Sequence, residues 1–309
     1  MKVKAWAALV MALVVISGCR GVGGDDDSRD NGGLTIGITD GPIDGAREVV
    51  VTFTGIEVKP IDDSAQLIQF ATPQTIDLLD FQNGDRFVLL DDYGLDPGRY
   101  NWLRLIVDDQ GNASYITIDS GLTFPLTIPS GGETGLKLNR GFEIAAGDVS
   151  DFTIDFDLRK SVHQEGAGDY KLRPSLRIVD NLSTTAITGI VATNLVVDTN
   201  CNSADFDIGR VVYLYQGNGA VVQDIQNDIN SNPSTLNPIA TAPVEFSSSS
   251  SAYEFTFSYI ADGSYTAVFT CDADADDPTT DDLLIMNFSA PIDITVTNGA
   301  VTPSPLTFM

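Results

Sequence analysis

The sequence has very few of the residues that most catalytic and nucleic-acid-binding sites use. Its 309 residues include one His, three Cys and 17 Lys and Arg against 43 Asp and Glu, for a formal charge of -26. A chain this acidic repels polyanions, so nucleic acid is excluded as a partner. With one His and three Cys residues, most zinc sites and most His-based catalytic sites are not expected either. The GxSxG, HExxH and glycine-rich phosphate-loop motifs are absent, so no enzyme is predicted.

The N-terminus has the pattern of a targeting segment. Lys2 and Lys4 precede an uncharged segment over residues 5–16, which leads to Ile16-Ser17-Gly18-Cys19. This segment is too short for a transmembrane helix and has the length of a signal-peptide core. The last four residues resemble the lipobox of bacterial lipoproteins. That resemblance implies a signal peptide over residues 1–18, with an ordinary secretory signal and an incidental Cys as the alternative.

The same resemblance implies where the protein is held. Acyl chains such as palmitate on Cys19 anchor a protein stably in a membrane. Lipoproteins retained at the inner membrane tend to have Asp directly after the lipidated Cys, and this chain has Arg20 there. Arg20 therefore favours the outer membrane, and the protein is expected either on its periplasmic face or on the cell surface. Residues 19–33 are rich in Gly and Asp without an apolar period, which predicts a flexible acidic tether.

The rest of the chain alternates apolar and polar residues in the pattern of β-strands. In the clearest strand, residues 152–158, Phe152, Ile154 and Phe156 face one side, and Asp155 and Asp157 face the other. Similar alternation predicts strands over residues 34–39, 49–53, 100–107, 115–118 and 176–179, and again over 211–215, 254–260, 265–271 and 292–296. No amphipathic helix longer than two turns is expected.

A polar segment at residues 181–185 separates the two series of strands. The predicted fold is therefore all-β, with two antiparallel β-sandwich domains, immunoglobulin-like or prealbumin-like, over residues 34–180 and 186–309.

With Cys19 lipidated, Cys201 and Cys271 remain as an even pair in an oxidising compartment, which favours a disulfide. Two free thiols or a soft-metal pair are the alternatives.

Asp155 and Asp157 form the first candidate site. They lie on one face of a strand about 7 Å apart, and paired carboxylates serve as acid and base or bind a cation. Arg159 and Lys160 follow directly, so an ion-pair cluster at the strand end is the favoured interpretation. Further candidates for that cluster are Asp40 and Asp44.

The second candidate site is an acidic loop. Its carboxylates resemble the start of an EF-hand-type calcium loop, and the predicted ligands are Asp272, Asp274, Asp276 and Asp281. The sequence departs from the EF-hand pattern at two positions. Asp277 stands where the loop requires Gly, and Leu283 stands where it requires a bidentate carboxylate. From residue 181 onward, Arg210 is the only base against fifteen acids, so calcium would relieve their repulsion. A plain solvated loop is the alternative.

His163, in the first series of strands, is predicted to be a solvated loop residue.

Several segments resemble the domain-of-unknown-function 4382 family of bacterial lipoproteins over about residues 34–180. They are LTIGITDGPID at 34–44, VTF at 51–53, LDPGRY at 95–100, LRL at 103–105, DFD at 155–157 with Lys160, and LRP at 172–174. Residues 187–190 and 261–266 are similar to prealbumin-like, carboxypeptidase-regulatory modules. The resemblance implies extracytoplasmic β-sandwiches and brings no activity.

The function expected from these patterns is that of a lipid-anchored outer-membrane protein acting without catalysis, as a binding, adhesion or structural module. Its expected partners are the membrane, through the lipid, and an envelope protein or glycan. One alternative is a calcium-stabilised carbohydrate-binding module. The other is a hydrolase that uses Asp155 and Asp157. No cofactor is expected other than calcium at the acidic loop.

Overall fold

The chain folds into β-strands from Gly32 to Phe308. The computed structural model describes residues 31–41, 43–108, 110–129, 135–166, 168–201, 208–225, 237–277 and 286–309. The predicted signal peptide, Cys19, most of the tether and Asp281 lie outside the described residues. Within the described ranges, no helix combines the length and the apolarity needed to cross a membrane.

The strands up to residue 180 form the first domain. They are β1 (Gly32–Gly41), β2 (Ala46–Pro60), β3 (Gln66–Asp77), β4 (Phe87–Leu95), β5 (Gly98–Val107), β6 (Tyr115–Ile118), β7 (Thr123–Thr127), β8 (Leu136–Leu138), β9 (Phe142–Ile144), β10 (Val149–Asp157), β11 (Val162–Gln164), β12 (Tyr170–Leu172) and β13 (Leu176–Asp180). The short helix α1 (Leu158–Ser161) joins β10 to β11, and a 3₁₀ turn covers Leu78–Asp80.

The strands from residue 184 onward form the second domain. They are β14 (Thr184–Val191), β15 (Val211–Gln216), β16 (Ala240–Pro243), β17 (Glu245–Ser247), β18 (Ala252–Ala261), β19 (Gly263–Thr270), β20 (Ile292–Thr297), β21 (Ala300–Thr302) and β22 (Leu306–Phe308). Helix α2 (Thr193–Val196) follows β14, and 3₁₀ turns cover Asn181–Ser183, between the domains, and Ala273–Ala275.

Each domain consists of two sheets. In the first domain, sheet A has the order β13-β10-β1-β4, and sheet B has the order β11-β12-β7-β6-β2-β5-β8, with β3 also pairing β2 and β9 also pairing β5. In the second domain, sheet C has the order β17-β18-β14-β22, and sheet D has the order β16-β15-β19-β20-β21. The prediction of an all-β sandwich fold is confirmed.

The sheets are mixed rather than purely antiparallel, which differs from the prediction. The pairs β1–β10, β7–β12 and β14–β22 are parallel. The two strands of each pair are far apart in sequence, and a long connection is what allows parallel neighbours. Alternation within a strand does not depend on the direction of its neighbour, so the sequence pattern did not contain this information.

The apolar faces meet between the sheets of each domain. In the first domain Phe53 of β2 packs edge-on against Phe156 of β10, with ring centroids 6.2 Å apart. In the second domain Phe255 and Phe257 of β18 belong to one buried cluster with Leu214 of β15. Two packed sheets with a shared apolar interior are the arrangement that period-two alternation predicts.

A disulfide joins Cys201 and Cys271, whose Cα atoms lie 5.5 Å apart, as the cysteine count predicted. Cys271 is 4% exposed and belongs to the second-domain core. The bond therefore connects the segment after α2 to the end of β19.

Strand β10 confirms the predicted core face and corrects the outer face. Phe152, Ile154 and Phe156 are buried, as expected. Thr153, however, is fully buried on the opposite face, which the alternation predicted to be solvated. Two groups cover it: Arg86 of the first domain donates to the Thr153 hydroxyl at 3.3 Å, and Tyr259 of the second domain lies beside it.

Candidate functional site

The predicted carboxylate pair lies at the junction of the two domains. The parallel register of β1 and β10 places Asp155 opposite Thr39 and Asp157 opposite Gly41. Gly41 faces the second domain, because a Cβ at this position would lie 3.5 Å from Oγ1 of Thr241 in β16. The candidate site is therefore an interface between domains rather than a free sheet surface.

Asp155 is held by Arg177 of the neighbouring strand β13. The two residues face each other in register, and the guanidinium donates from Nη2 at 2.5 Å and from Nε at 3.1 Å to one oxygen of Asp155. Burial raises the pKa of Asp155 above its ordinary value, and the Arg177 charge offsets only part of that shift. Arg177 also donates from Nη1 to the carbonyl oxygen of Tyr259 in the second domain, at 3.2 Å.

A β-bulge in strand β18 aims Tyr259 at the first domain. Thr185 pairs with Ile260 and Ile187 pairs with Phe257, so β18 has one residue more than β14 over this stretch. Tyr259 has a φ of 56°, which is unusual for a bulky residue and fits the local turn of a bulge. Its hydroxyl donates to the carbonyl oxygen of Gly84 at 2.9 Å.

Asp157 has two structural roles at the end of β10. Its side chain accepts a hydrogen bond from the Lys160 N–H at 3.3 Å, which caps the short helix α1 and explains why β10 ends here. Its Oδ2 lies 2.7 Å from Nζ of Lys160. The same ammonium group donates to the carbonyl oxygen of Pro238 in the second domain.

Arg159 makes a third contact of this kind. Its side chain is 5% exposed, its Nη2 lies 2.8 Å from Asp44, and its Nη1 donates to the carbonyl oxygen of Ala273 in the second domain at 2.7 Å. Burial by itself would lower the pKa of Arg159, but the Asp44 carboxylate, together with Tyr213 and Asp276, outweighs it and raises the pKa above its ordinary value. The guanidinium is therefore charged at every ordinary pH.

The three contacts share one pattern. A cation of the first domain pairs with a carboxylate of the first domain and donates to a backbone carbonyl of the second domain. The sets are Asp155, Arg177 and Tyr259; Asp157, Lys160 and Pro238; and Asp44, Arg159 and Ala273. This agrees with the ion-pair interpretation of the sequence and adds that the pairs connect the domains.

Asp40 stands apart from these pairs. It is 6% exposed, and no donor among the described residues is in good hydrogen-bond geometry to either carboxylate oxygen. Burial, followed by the charges of Asp155 and Asp157, raises the pKa of Asp40 well above its ordinary value; the nearby Leu158 N–H and Gln82 side chain offset only part of this effect. A buried carboxylate in this state is costly to ionise unless a cation accompanies it.

The predicted calcium ligands are held by different protein groups. Asp272 is fully buried and accepts from the backbone and side-chain amides of Asn287, at 2.8 and 2.7 Å. Asp276 accepts from the Tyr213 hydroxyl at 2.6 Å and from the Ile225 N–H at 3.1 Å. Burial raises the pKa of Asp276 to about 6, although these hydrogen bonds act to lower it.

The remaining predicted ligands do not complete a site among the described residues. Asp274 is exposed, and Asp281 lies outside the described residues. Across the parts of the chain that the structure describes, no three or more His, Cys, Asp and Glu side chains are grouped to hold a metal ion. The described side chains thus show Asp272 and Asp276 in structural hydrogen bonds, and calcium binding stays a prediction.

His163 is not a solvated loop residue, which corrects the sequence prediction. It lies in strand β11, pairs with Lys171 of β12 and is 4% exposed. Burial, and then the charge of Arg173, lowers the pKa of His163, which favours the neutral ring. A strand of three residues is too short to show a period of two, so its sequence looked like a loop.

Sequence reasoning missed the partners that complete the interface. Arg177 was part of a predicted strand, but nothing in the sequence placed that strand beside β10. No sequence pattern indicated that Tyr259 lies at the interface, because its role depends on a bulge in β18 and on its backbone carbonyl. Contacts of this kind depend on the docking of the two domains.

Comparison with known proteins supports the resemblance in the first domain. Residues 31–174 match the family model described as "Domain of unknown function (DUF4382)". No curated protein matches the chain.

Among solved structures, the chain has distant likenesses to three bacterial proteins. The Bacillus anthracis TIE protein is 10% identical with a TM-score of 0.18, over 78% of this chain and 28% of that protein. A protein described as an adhesin from Bacteroides ovatus is 10% identical with a TM-score of 0.17, over 82% and 76% of the two chains. A protein described as a cell adhesion protein from Bacteroides eggerthii is 11% identical with a TM-score of 0.18, over 88% and 77%. At these TM-scores the likenesses carry no argument about function.

Proposed function

We propose that this protein is a lipid-anchored envelope protein that acts without catalysis, as a rigid two-domain module for binding, adhesion or envelope structure. The lipobox ending at Cys19 supports the anchor, and Arg20 supports the outer membrane as its location. The tether over residues 19–33 would hold the two domains away from the lipid surface.

One observation carries the proposal: the acidic residues that invited a catalytic interpretation are paired with cations that reach across the domain interface. Asp155 and Asp157 each accept from a cation, and each cation also donates to a carbonyl of the second domain. A hydrogen bond to a charged group contributes about 1.5 to 3 kcal/mol. Three such connections favour a single orientation of the domains, which suits a module that presents a fixed surface.

The hydrolase alternative has less support. An acid–base pair needs room for a substrate between its carboxylates and a proton that is free to move. The cavity beside Asp155 and Asp157 has a volume of only about 40 Å³. Both carboxylates are also engaged with Arg177 and Lys160.

The calcium-dependent carbohydrate-binding alternative also has less support. Asp272 and Asp276 already accept hydrogen bonds from protein donors. Trp102, an aromatic residue available for sugar stacking, has Nζ of Lys137 4.4 Å from its ring centroid. A sugar would have to displace that cation–π contact.

The test is chemical cross-linking in intact envelopes that contain either the wild-type protein or Cys19→Ala. The tagged protein is then purified and its adducts are identified by mass spectrometry. A saturable adduct with one envelope protein or glycan, formed by the anchored protein, is expected. Turnover of an envelope polymer by the purified protein, lost in Asp155→Asn, would overturn the proposal in favour of a hydrolase.

A further inference from the structure

A small cavity lies between the two domains. Its lining includes Asp40, Gly41 and Asp155 from the first domain and Thr241 and Tyr259 from the second. The cavity volume is about 40 Å³. One water molecule needs about 10 to 15 Å³ on the same measure, so there is room for a single ion with a water or two, and none for a sugar or a peptide.

Two buried polar side chains that line this cavity lack a well-placed partner in the described part of the chain, and they come from different domains. Asp40 is 6% exposed and Thr241 is 8% exposed. Among the described residues, neither carboxylate oxygen of Asp40 nor the hydroxyl of Thr241 has a partner in good hydrogen-bond geometry, although the Leu158 N–H and the Gln82 side chain lie near Asp40. Buried polar groups in folded proteins are almost always satisfied, so two such groups at one cavity indicate a small guest, a water or an ion, that bonds to both.

The balance of charge at the cavity determines which ligand fits. Asp155 is paired with Arg177, and Asp157 is paired with Lys160. Of the described carboxylates that line the cavity, Asp40 is the one without an ion pair. One unpaired negative charge beside a hydroxyl oxygen matches an ion of charge +1 that prefers oxygen ligands.

We propose that this cavity binds a monovalent cation, Na⁺ or K⁺, between the Asp40 carboxylate and the Thr241 hydroxyl. Ca²⁺ fits less well, because it usually takes several carboxylates, and no group of three or more acidic, His or Cys side chains is placed to hold a metal in the described part of the chain.

The site exists only when the domains are docked, because each domain supplies one of its two unpartnered groups. Binding of the cation therefore favours the docked state over any state in which the domains separate. The cation would be a further connection beside the three ion pairs described above. This inference does not depend on what the protein binds at its outer surface.

The test uses the full mature chain in detergent at pH 7.5. Melting temperatures are compared in sodium, potassium and choline chloride at equal ionic strength, so that general screening is the same. Choline is too large for the cavity. With a salt concentration about ten times the dissociation constant, a melting temperature about 2 to 5 °C higher in Na⁺ or K⁺ than in choline is expected.

Substitutions then locate the effect. Asp40→Asn and Thr241→Val are expected to abolish the difference between the salts, and Asp119→Asn, at an exposed position, is expected to keep it. Soaking crystals of the wild-type protein in Tl⁺, which replaces K⁺, is expected to give an anomalous peak between Asp40 and Thr241. This second measurement does not depend on whether the variants fold.

Three results would overturn the inference. The first is an equal melting temperature of the wild-type protein in all three salts. The second is a Tl⁺-soaked crystal without a peak in the cavity. The third is stabilisation by millimolar Ca²⁺ that Na⁺ and K⁺ do not reproduce, which would indicate a divalent site instead.

Discussion

Arg159 in the first domain donates a buried hydrogen bond of 2.7 Å to the carbonyl oxygen of Ala273 in the second domain. The same guanidinium lies 2.8 Å from Asp44, so one residue satisfies an acid of its own domain and a backbone carbonyl of the other. Ala273 follows the disulfide-bonded Cys271, which belongs to the second-domain core. The contact therefore connects helix α1 of the first domain to a covalently held part of the second.

Replacing Arg159 tests the contribution of this contact. Arg159→Met keeps much of the side-chain volume but leaves Asp44 without its cation, so we expect the free energy of unfolding to fall by about 3 kcal/mol. Urea denaturation measures the change, and Arg159→Met is expected to show a separate transition for each domain. Arg47→Met, at an exposed position of β2, is the matched control. A wild-type unfolding curve for Arg159→Met would contradict the structural role.

Asp276 predicts a specific dependence of stability on pH. Burial raises the pKa of Asp276 to about 6 in the folded protein, above its ordinary value of 3.8. The folded state therefore binds this proton more tightly than the unfolded state does. Asp276 thus reduces stability above pH 6, and that reduction disappears as the pH falls from about 6 to about 4.

The measurement is the free energy of unfolding between pH 4 and pH 8 for the wild type and Asp276→Asn. On acidification over this range, titration of Asp276 is expected to raise the free energy of unfolding of the wild type by on the order of 2 kcal/mol. Asn does not titrate, so this rise is expected to be missing from Asp276→Asn. Asp62→Asn, at an exposed position, is the control and should keep the wild-type profile. If Asp276→Asn follows the wild-type curve over the whole range, the burial of Asp276 is not the cause.

The disulfide gives a prediction with a calculable size. Cys201 and Cys271 are 70 residues apart in sequence. Closing a loop of this length lowers the entropy of the unfolded chain by the equivalent of about 4 kcal/mol. Cys201→Ser/Cys271→Ser is therefore expected to lose about that much stability in denaturant melts. A reductant should destabilise the wild type and leave the double variant unchanged; equal sensitivity of both proteins would refute the bond.

Lipidation is tested by metabolic labelling with a palmitate analogue. Wild-type protein is expected to take up the label and to sediment with membranes, because its acyl chains anchor it. Cys19→Ala is expected to lose both properties. Cys201→Ser should keep both, since Cys201 belongs to the disulfide. Label that persists in Cys19→Ala would show that another residue is acylated or that the lipobox interpretation is wrong.

The candidate site was predictable only in part. The spacing of Asp155 and Asp157 correctly placed both residues on one face of β10, and the nearby Lys160 correctly indicated an ion pair. Arg177 was not predictable, because its pairing with Asp155 requires β13 to lie beside β10. Asp40 looked like one more member of an acidic cluster, and its lack of a partner is visible only in the folded protein.

Sequence alternation was enough to predict the longer central strands of both domains and the sides of them that face the cores, but it missed others, such as β3 and β4. Alternation predicted β6 at its true limits, Tyr115–Ile118, and the buried side of β10, because side-chain direction along a strand follows from the backbone geometry alone. The choice of neighbouring strands, the parallel pairs and the covering of the polar face of β10 are visible only in the folded protein. Those outcomes depend on contacts between residues far apart in the chain, and a local pattern does not specify how the second domain packs against Thr153 and Asp155.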